Sequence, residues 1–276
     1  MALFNFALKP IDQCACPLDS VGRKRLAWFW LTDSWYYIDC GGVKLFEQRQ
    51  TGCYLDYYFV RFLEDFFEIL PAIAAPLPSD IFSLIDTSAK RQALFSQQAD
   101  WYAQIDDPTD QQESMYDNIG TLLWANKLDT GFLRYRADCR FYRLGDTMRI
   151  MYDFRDTNAY GMPPWSAGCG QYDISWRDFM GEVEDLLVRF FHDMDQQVQD
   201  AGELLMNDDT YSDETFNDRT REAGRDHLVT ENDQRKADFW GILNDVTHGN
   251  VTSPDWGAIR SGVDALKSFR DGSGTP

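Results

Sequence analysis

Apolar and polar residues alternate along the first part of the chain, as they do in half-buried β-strands. Phe4, Phe6 and Leu8 are separated by polar or small residues, which predicts a short strand. Three further segments share an aromatic and β-branched composition and are separated by short turns: 26–31, 35–39 and 43–47. Together they predict a β-meander.

The apolar spacing changes to three and four residues further along, which is typical of helices. Residues 54–70 are predicted to form a helix, which Pro71, Pro76 and Pro78 end. The other predicted helices cover residues 79–104, 111–126, 175–200, 231–244 and 254–269. The apolar stripe is clearest in 175–200, where it consists of Phe179, Val183, Leu186, Leu187, Phe190, Met194 and Val198.

Strand-like residues return in the segments 132–136, 140–144 and 147–154. The dipeptide Gly145-Asp146 predicts a hairpin with a type II′ turn, because glycine stands first in the two-residue loop. This register places Phe141 opposite Ile150 and Tyr142 opposite Arg149. Because side chains alternate along a strand, the first pair is predicted to face the core and the second pair the other side.

These patterns predict an α+β fold, in which an antiparallel sheet is covered on one side by helices. The sheet is expected to combine the 26–47 and 131–155 regions. We expect an α+β core domain over 1–200, an acidic connection over 201–229, and a helical C-terminal segment over 230–270 that docks on the core.

The composition and the net charge limit the classes of protein to which this chain can belong. The 276 residues include 45 acidic and 26 basic ones, and the net charge is −19. A hydrophobic content of 44% excludes intrinsic disorder, and the deficit of Lys and Arg argues against a non-specific nucleic-acid binder. We find neither a secretory signal nor an apolar stretch long enough to span a membrane, so a cytoplasmic protein is expected.

No catalytic motif is recognisable. His192, His227 and His248 stand outside the known metal and triad motifs. The six cysteines are expected to be free thiols, with Cys14-Ala15-Cys16 leaving a metal site as the alternative. We therefore predict no catalytic residue, no cofactor and no metal site.

Six arginines occur on the predicted strands of this acidic protein: Arg134, Arg136, Arg140, Arg143, Arg149 and Arg155. One interpretation is a basic stripe that holds an anionic partner, with Tyr142 available for stacking. The interpretation we favour is an exposed sheet face on which the arginines pair across strands with Asp138, Asp146, Asp153 and Asp156.

The aromatic cluster Trp28, Trp30, Trp35, Tyr36 and Tyr37 also admits two interpretations. Outward-facing rings would form a binding platform, since Trp and Tyr are typical interface anchors. We favour a packed core, because large aromatic side chains are mostly well buried.

Several segments together resemble a family of uncharacterised bacterial proteins, classed as a domain of unknown function. They include Leu31-Thr32-Asp33-Ser34-Trp35-Tyr36, the 57–71 helix, Pro164-Trp165-Ser166-Ala167-Gly168 and the segment 174–183. The resemblance covers roughly residues 1–200 and implies no activity, so no residue inherits a role from it. Small acidic bacterial proteins of this sort are similar, by analogy of class alone, to immunity proteins from toxin systems.

The charge, the missing motifs and the resemblance favour a non-catalytic, immunity-type inhibitor that binds a basic protein such as a toxin. The candidate binding residues are Asp106, Asp107, Asp110, Glu113, Asp117, Asp208, Asp209, Asp213, Glu214, Arg140, Tyr142 and Arg149. Two alternatives remain open. One is an enzyme with an unrecognised carboxylate/arginine or metal site, and the other is a scaffold or regulatory subunit. The oligomeric state is left open.

Overall fold

The computed structural model describes residues 2–133, 135, 137–155, 161–213 and 221–270. The helices are α1 (Phe59–Ala74), α2 (Ser79–Phe82), α3 (Ser88–Tyr102), α4 (Asp110–Trp124), α5 (Trp176–Asn207), α6 (Arg221–Thr247) and α7 (Trp256–Arg270). The strands are β1 (Phe4–Leu8), β2 (Lys24–Leu26), β3 (Asp33–Cys40), β4 (Val43–Leu45), β5 (Leu55–Tyr58), β6 (Asp138–Leu144), β7 (Thr147–Asp153), β8 (Cys169–Ser175) and β9 (Tyr211–Asp213). The fold is α+β with antiparallel sheets and a C-terminal helix, as the sequence predicts.

The chain divides into two units, each assembled from separate stretches of sequence. The first unit comprises Met1–Glu68, Phe154–Gly168 and Arg177–Gly249, and the second comprises Ile69–Asp153, Cys169–Trp176 and Asn250–Pro276. The sequence suggests three consecutive segments instead, because composition follows chain order whereas the units follow contacts between distant residues.

The first unit is built around a sheet in which β3 pairs with β1, β4 and β5. All three pairings are antiparallel, with Phe4 opposite Ile38 and Ser34 opposite Tyr57. Aromatic rings from the sheet and from two helices form its core. The ring centroid of Phe4 lies 5.2 Å from that of Phe66 in α1 and 6.2 Å from that of Phe179 in α5.

Three details of the predicted meander and its following helix are wrong. The strand expected over 26–31 ends at Leu26, and residues 30–32 form a 3₁₀ turn. The helix expected from residue 54 begins at Phe59, because residues 55–58 pair with β3 instead. Pro71 does not end α1, which continues to Ala74. Ile73 and Ala74 are buried, and this burial compensates for the backbone hydrogen bond that proline cannot make.

In the second unit, β6, β7 and β8 form an antiparallel sheet of their own. The predicted hairpin register is confirmed, with Phe141 opposite Ile150 and Tyr142 opposite Arg149. Gly145 has a φ of 61°, the positive value that the first position of a type II′ turn requires. The expectation of one sheet combining the 26–47 and 131–155 regions is wrong, since alternation identifies strands but not their partners.

Helices α2, α3, α4 and α7 supply the core of the second unit. Their buried apolar residues include Ile81, Leu94, Trp101, Ile119, Leu122, Ile259 and Val263, and Tyr142 of β6 belongs to the same cluster. The basic-stripe interpretation requires Tyr142 to stack with a partner. The Tyr142 side chain is fully buried, so it is not available for this contact. Burial raises the pKa of its phenol.

An ion pair joins α2 to α7. Two of the three guanidinium nitrogens of Arg260 donate to the carboxylate of Asp80, at 2.6 Å (Nε to Oδ2) and 3.0 Å (Nη2 to Oδ1). These hydrogen bonds lower the pKa of Asp80 from 3.8 to about 2. Because the folded-state pKa is the lower one, the stabilisation is present above pH 3.8 and is lost as the pH falls through the folded-state value.

We expect Arg260→Gln to return the pKa of Asp80 toward the ordinary value of 3.8. The measurement is an NMR titration of the Asp80 carboxyl carbon in the wild type and the variant. Identical titration curves would show that the pair does not persist in solution.

The acidic connection expected over 201–229 is largely regular structure. It contains the last turns of α5, strand β9 and the first turns of α6, with residues 214–220 lying outside the described part. Leu205 and Leu228 are buried and extend the apolar faces of the two helices into the acidic segment. The helix expected from residue 254 begins at Trp256, where the Asp255 carboxylate accepts a hydrogen bond from the Ala258 amide at 2.9 Å. No described helix has the length and apolar character needed to cross a membrane.

Candidate functional site

The connection between α3 and α4 and the first half of α4 carry a group of exposed carboxylates, which we call the acidic hairpin: Asp106, Asp107, Asp110, Glu113 and Asp117. A capping box starts α4, in which the Thr109 hydroxyl accepts from the Gln112 amide and the Gln112 side chain accepts from the Thr109 amide at 2.9 Å. The first turn of α4 contains Asp110 and Glu113, where negative charge stabilises the helix dipole. The start of α4 therefore explains the presence of Asp110 and Glu113. It does not explain the other three acidic residues.

The acidic hairpin is not neutralised by its own part of the chain. Between Arg91 and Lys127 the sequence has six acidic residues and no lysine or arginine. All five side chains of the hairpin are exposed, and in the described part of the chain none of them forms an ion pair. The hairpin therefore presents uncompensated negative charge to solvent.

The other predicted acidic residues serve the local fold. Asp208 accepts hydrogen bonds from the amide and hydroxyl of Thr210 at 2.9 and 2.7 Å, which lower the pKa of Asp208. Asp209 forms an ion pair with Arg221. Asp213 belongs to β9, which pairs with β2, and Glu214 lies outside the described residues. This segment is thus engaged in turns and pairing, in contrast to the acidic hairpin.

Among the described residues, Arg143 and Arg149 of the predicted basic stripe are engaged within the protein itself. Arg149 makes a bidentate pair with Asp173 on β8, at 2.8 Å (Nε to Oδ1) and 2.6 Å (Nη2 to Oδ2). Arg143 donates to the backbone carbonyls of Ala74 and Gly145. Arg134, Arg136 and Asp156 lie outside the described residues.

Arg140 pairs with Asp138 on its own strand, β6, and not across strands as the favoured interpretation expects, and this pair is not on an exposed face. It borders an open cavity of about 800 Å³ in the second unit, lined by α3, the end of α4 and the start of β6. Arg91 of α3 reaches the same carboxylate, with 3.2 Å from its Nη2 to Oδ2, while Arg140 Nε lies 2.8 Å from Oδ1. The two arginine side chains are only 8% and 7% exposed.

Backbone carbonyls hold both guanidinium groups in place. Arg91 Nη1 donates to the Ile85 carbonyl oxygen at 2.9 Å, and Arg140 Nη1 donates to the Leu123 carbonyl oxygen at 2.5 Å. Ile85 lies in the turn between α2 and α3, and Leu123 lies in the last turn of α4, where carbonyl groups lack partners within the helix. The two arginines and Asp138 therefore form a fixed, largely buried charged cluster at the cavity.

Aromatic rings line the cavity beside this cluster. Phe95 of α3 and Trp124 of α4 are 38% and 48% exposed, and their rings meet edge to face with centroids 5.8 Å apart. Lys127 Nζ lies 5.3 Å from the Trp124 ring centroid. Of these residues the sequence points only to Arg140 and Asp138, because the others follow no motif and meet only through folding.

Among the described residues, no group of three or more His, Cys, Asp or Glu side chains is placed to hold a metal ion. The six cysteines are free thiols, as predicted. The Cys14 thiol donates to the Lys9 carbonyl oxygen at 3.6 Å, and burial raises its pKa to about 12. Such a thiol is protonated at neutral pH and is a poor nucleophile.

Comparison with known proteins identifies the family of the chain and nothing further. A model described as a family of unknown function (DUF5984) matches residues 3–262, so the chain belongs to that family. The match extends past the roughly 200 residues over which the sequence resemblance was expected. No curated protein and no solved structure matches the chain.

Proposed function

We propose that this protein is a non-catalytic binding protein whose acidic hairpin holds a basic protein partner. The observation that supports the proposal is the run of exposed, unpaired carboxylates over a stretch of chain without any lysine or arginine. In its specific form, the protein is a cytoplasmic, bacterial immunity-type inhibitor, and the partner is a basic toxin.

Electrostatics explains why such a surface favours binding. Five like charges on one exposed segment, in a protein of net charge −19, create a negative potential that attracts a cationic surface. Charge complementarity of this kind raises the association rate and rejects acidic competitors more than it adds affinity. Three of the five charges lie on α4, where the helix fixes their spacing before a partner arrives.

The salt dependence of binding tests this proposal. The tagged protein is used to capture its partner from the cells that produce it, and the dissociation constant of the purified pair is then measured between 50 and 300 mM NaCl. We expect a basic partner whose affinity falls by roughly tenfold or more over this range, because salt screens exposed charges. A neutral or acidic partner, or an affinity that does not depend on salt, would contradict the proposal.

A further inference from the structure

We propose that the cavity of the second unit binds a small aromatic ligand that carries one carboxylate group. This inference is independent of the acidic hairpin, which uses other residues and the opposite sign of charge. It rests on the charge of the cavity, its aromatic lining and its volume, each described above for the residues that line it.

The cavity has an excess of positive charge inside a strongly acidic protein. Its lining includes the basic residues Arg91, Lys127 and Arg140 but only two acidic ones, Asp129 and Asp138. One carboxylate, that of Asp138, is shared by two guanidinium groups. One positive charge is therefore left for a ligand, and guanidinium groups suit a carboxylate because they can donate two parallel hydrogen bonds.

Because they are buried, these guanidinium groups discriminate more strongly between anionic and neutral ligands than an arginine on the surface would. Both guanidinium groups belong to side chains that are more than nine-tenths buried and that donate to backbone carbonyl groups. A fixed cation in a partly desolvated site interacts more strongly with an anion than a solvated cation does. The site therefore distinguishes an anionic ligand from a neutral or cationic one of the same shape.

The aromatic lining indicates that the ligand also has a ring. Trp124 and Phe95 line the cavity and are two of only three exposed aromatic side chains in the described part of the chain, Trp35 being the third. Exposed aromatic residues beside convergent polar groups are typical of small-molecule sites. A planar ring that packs on Trp124 would remove this apolar surface from water.

The volume agrees with a ring that bears an acid. About 800 Å³ lies within the range of roughly 300–1,000 Å³ that small-molecule pockets cover. A lone inorganic anion would leave most of this space and both aromatic rings without contacts. The cavity thus has room for an aromatic carboxylate and a charge of the opposite sign to bind it.

Isothermal titration calorimetry of the full chain with a matched set of probes tests the inference. The probes are indole-3-acetate, the neutral indole-3-acetamide, the cationic tryptamine and ring-free acetate. We expect indole-3-acetate to bind, and each of the other three to bind at least about tenfold more weakly, because each lacks either the anionic group or the ring. Absence of indole-3-acetate binding at millimolar concentration, or equal or tighter binding of any other probe, would overturn it.

Variants at the rim of the cavity assign the binding to this site. Trp124→Ala and Lys127→Gln remove exposed or half-exposed side chains, so both are expected to fold, whereas Arg140 is needed for stability. We expect at least about a tenfold loss of affinity for indole-3-acetate in Trp124→Ala and a smaller loss in Lys127→Gln. The control Lys267→Gln removes a charge from α7, outside the cavity, and should bind like the wild type. An unchanged affinity in Trp124→Ala would place the ligand elsewhere and overturn the inference.

Discussion

Replacing Arg140 with alanine is expected to lower the free energy of unfolding by about 1.5 to 3 kcal/mol, the usual contribution of hydrogen bonds that a charged group makes. The Arg140 side chain is largely buried and donates to both Asp138 and the Leu123 carbonyl oxygen. Without it, the carbonyl loses its donor and Asp138 keeps only Arg91 as a charged partner. The measurement is urea-induced unfolding followed by circular dichroism.

Arg149→Ala provides a matched control on the neighbouring strand. Arg149 also pairs with an aspartate, but its side chain is 24% exposed and that of Asp173 is 40% exposed. Water can replace much of this pair, so we expect a loss of about 1 kcal/mol or less. Equal losses in the two variants would show that burial does not set the importance of the Arg140 pair.

The sequence predicts those parts of the fold that local patterns determine. The β6–β7 hairpin follows from alternation on either side of Gly145-Asp146, and its register is confirmed residue by residue. The apolar stripe of α5 is equally local, and all seven of its predicted members are buried. In both cases, the sequence pattern lies in the same segment of the chain as the structure that it predicts.

Pairing between distant segments is not predictable in the same way. Alternation near residues 26–47 and 131–155 identifies strands, but the two regions belong to separate sheets. The cavity cluster depends on Arg91 of α3 reaching Asp138 of β6, a contact between residues 47 positions apart. Neither the choice of strand partners nor the Arg91–Asp138 contact produces a periodic pattern in the sequence. Both are therefore visible only in the structure.

The two acidic segments illustrate the same limit. In the sequence, Asp106–Asp117 and Asp208–Asp213 are equally plausible binding surfaces. In the structure, Asp209 has Arg221 as a partner and Asp208 caps a turn, whereas the acidic hairpin has no such partner among the described residues. Charge composition therefore suggests an acidic binding surface, and the pairing of charges indicates which segment to test.

Neutralising the acidic hairpin is expected to weaken binding of the basic partner by at least about tenfold, mainly through a slower association rate. The variant combines five substitutions: Asp106→Asn, Asp107→Asn, Asp110→Asn, Glu113→Gln and Asp117→Asn. All five side chains are exposed, so the fold should be retained, with a small loss of α4 stability from the weaker dipole interaction. Association and dissociation rates are measured by surface plasmon resonance against the purified partner.

The control removes the same number of charges from exposed acids of α6, a helix that also carries basic residues. Its substitutions are Glu222→Gln, Asp226→Asn, Asp233→Asn, Asp238→Asn and Asp245→Asn. Comparing the dissociation constants of the wild type, the hairpin variant and the α6 variant in one buffer is the most direct test of where the partner binds. We predict a loss of at least about tenfold in the hairpin variant and less than about threefold in the α6 variant. Equal losses in both variants, or no loss in the hairpin variant, would contradict the proposed role of the acidic hairpin.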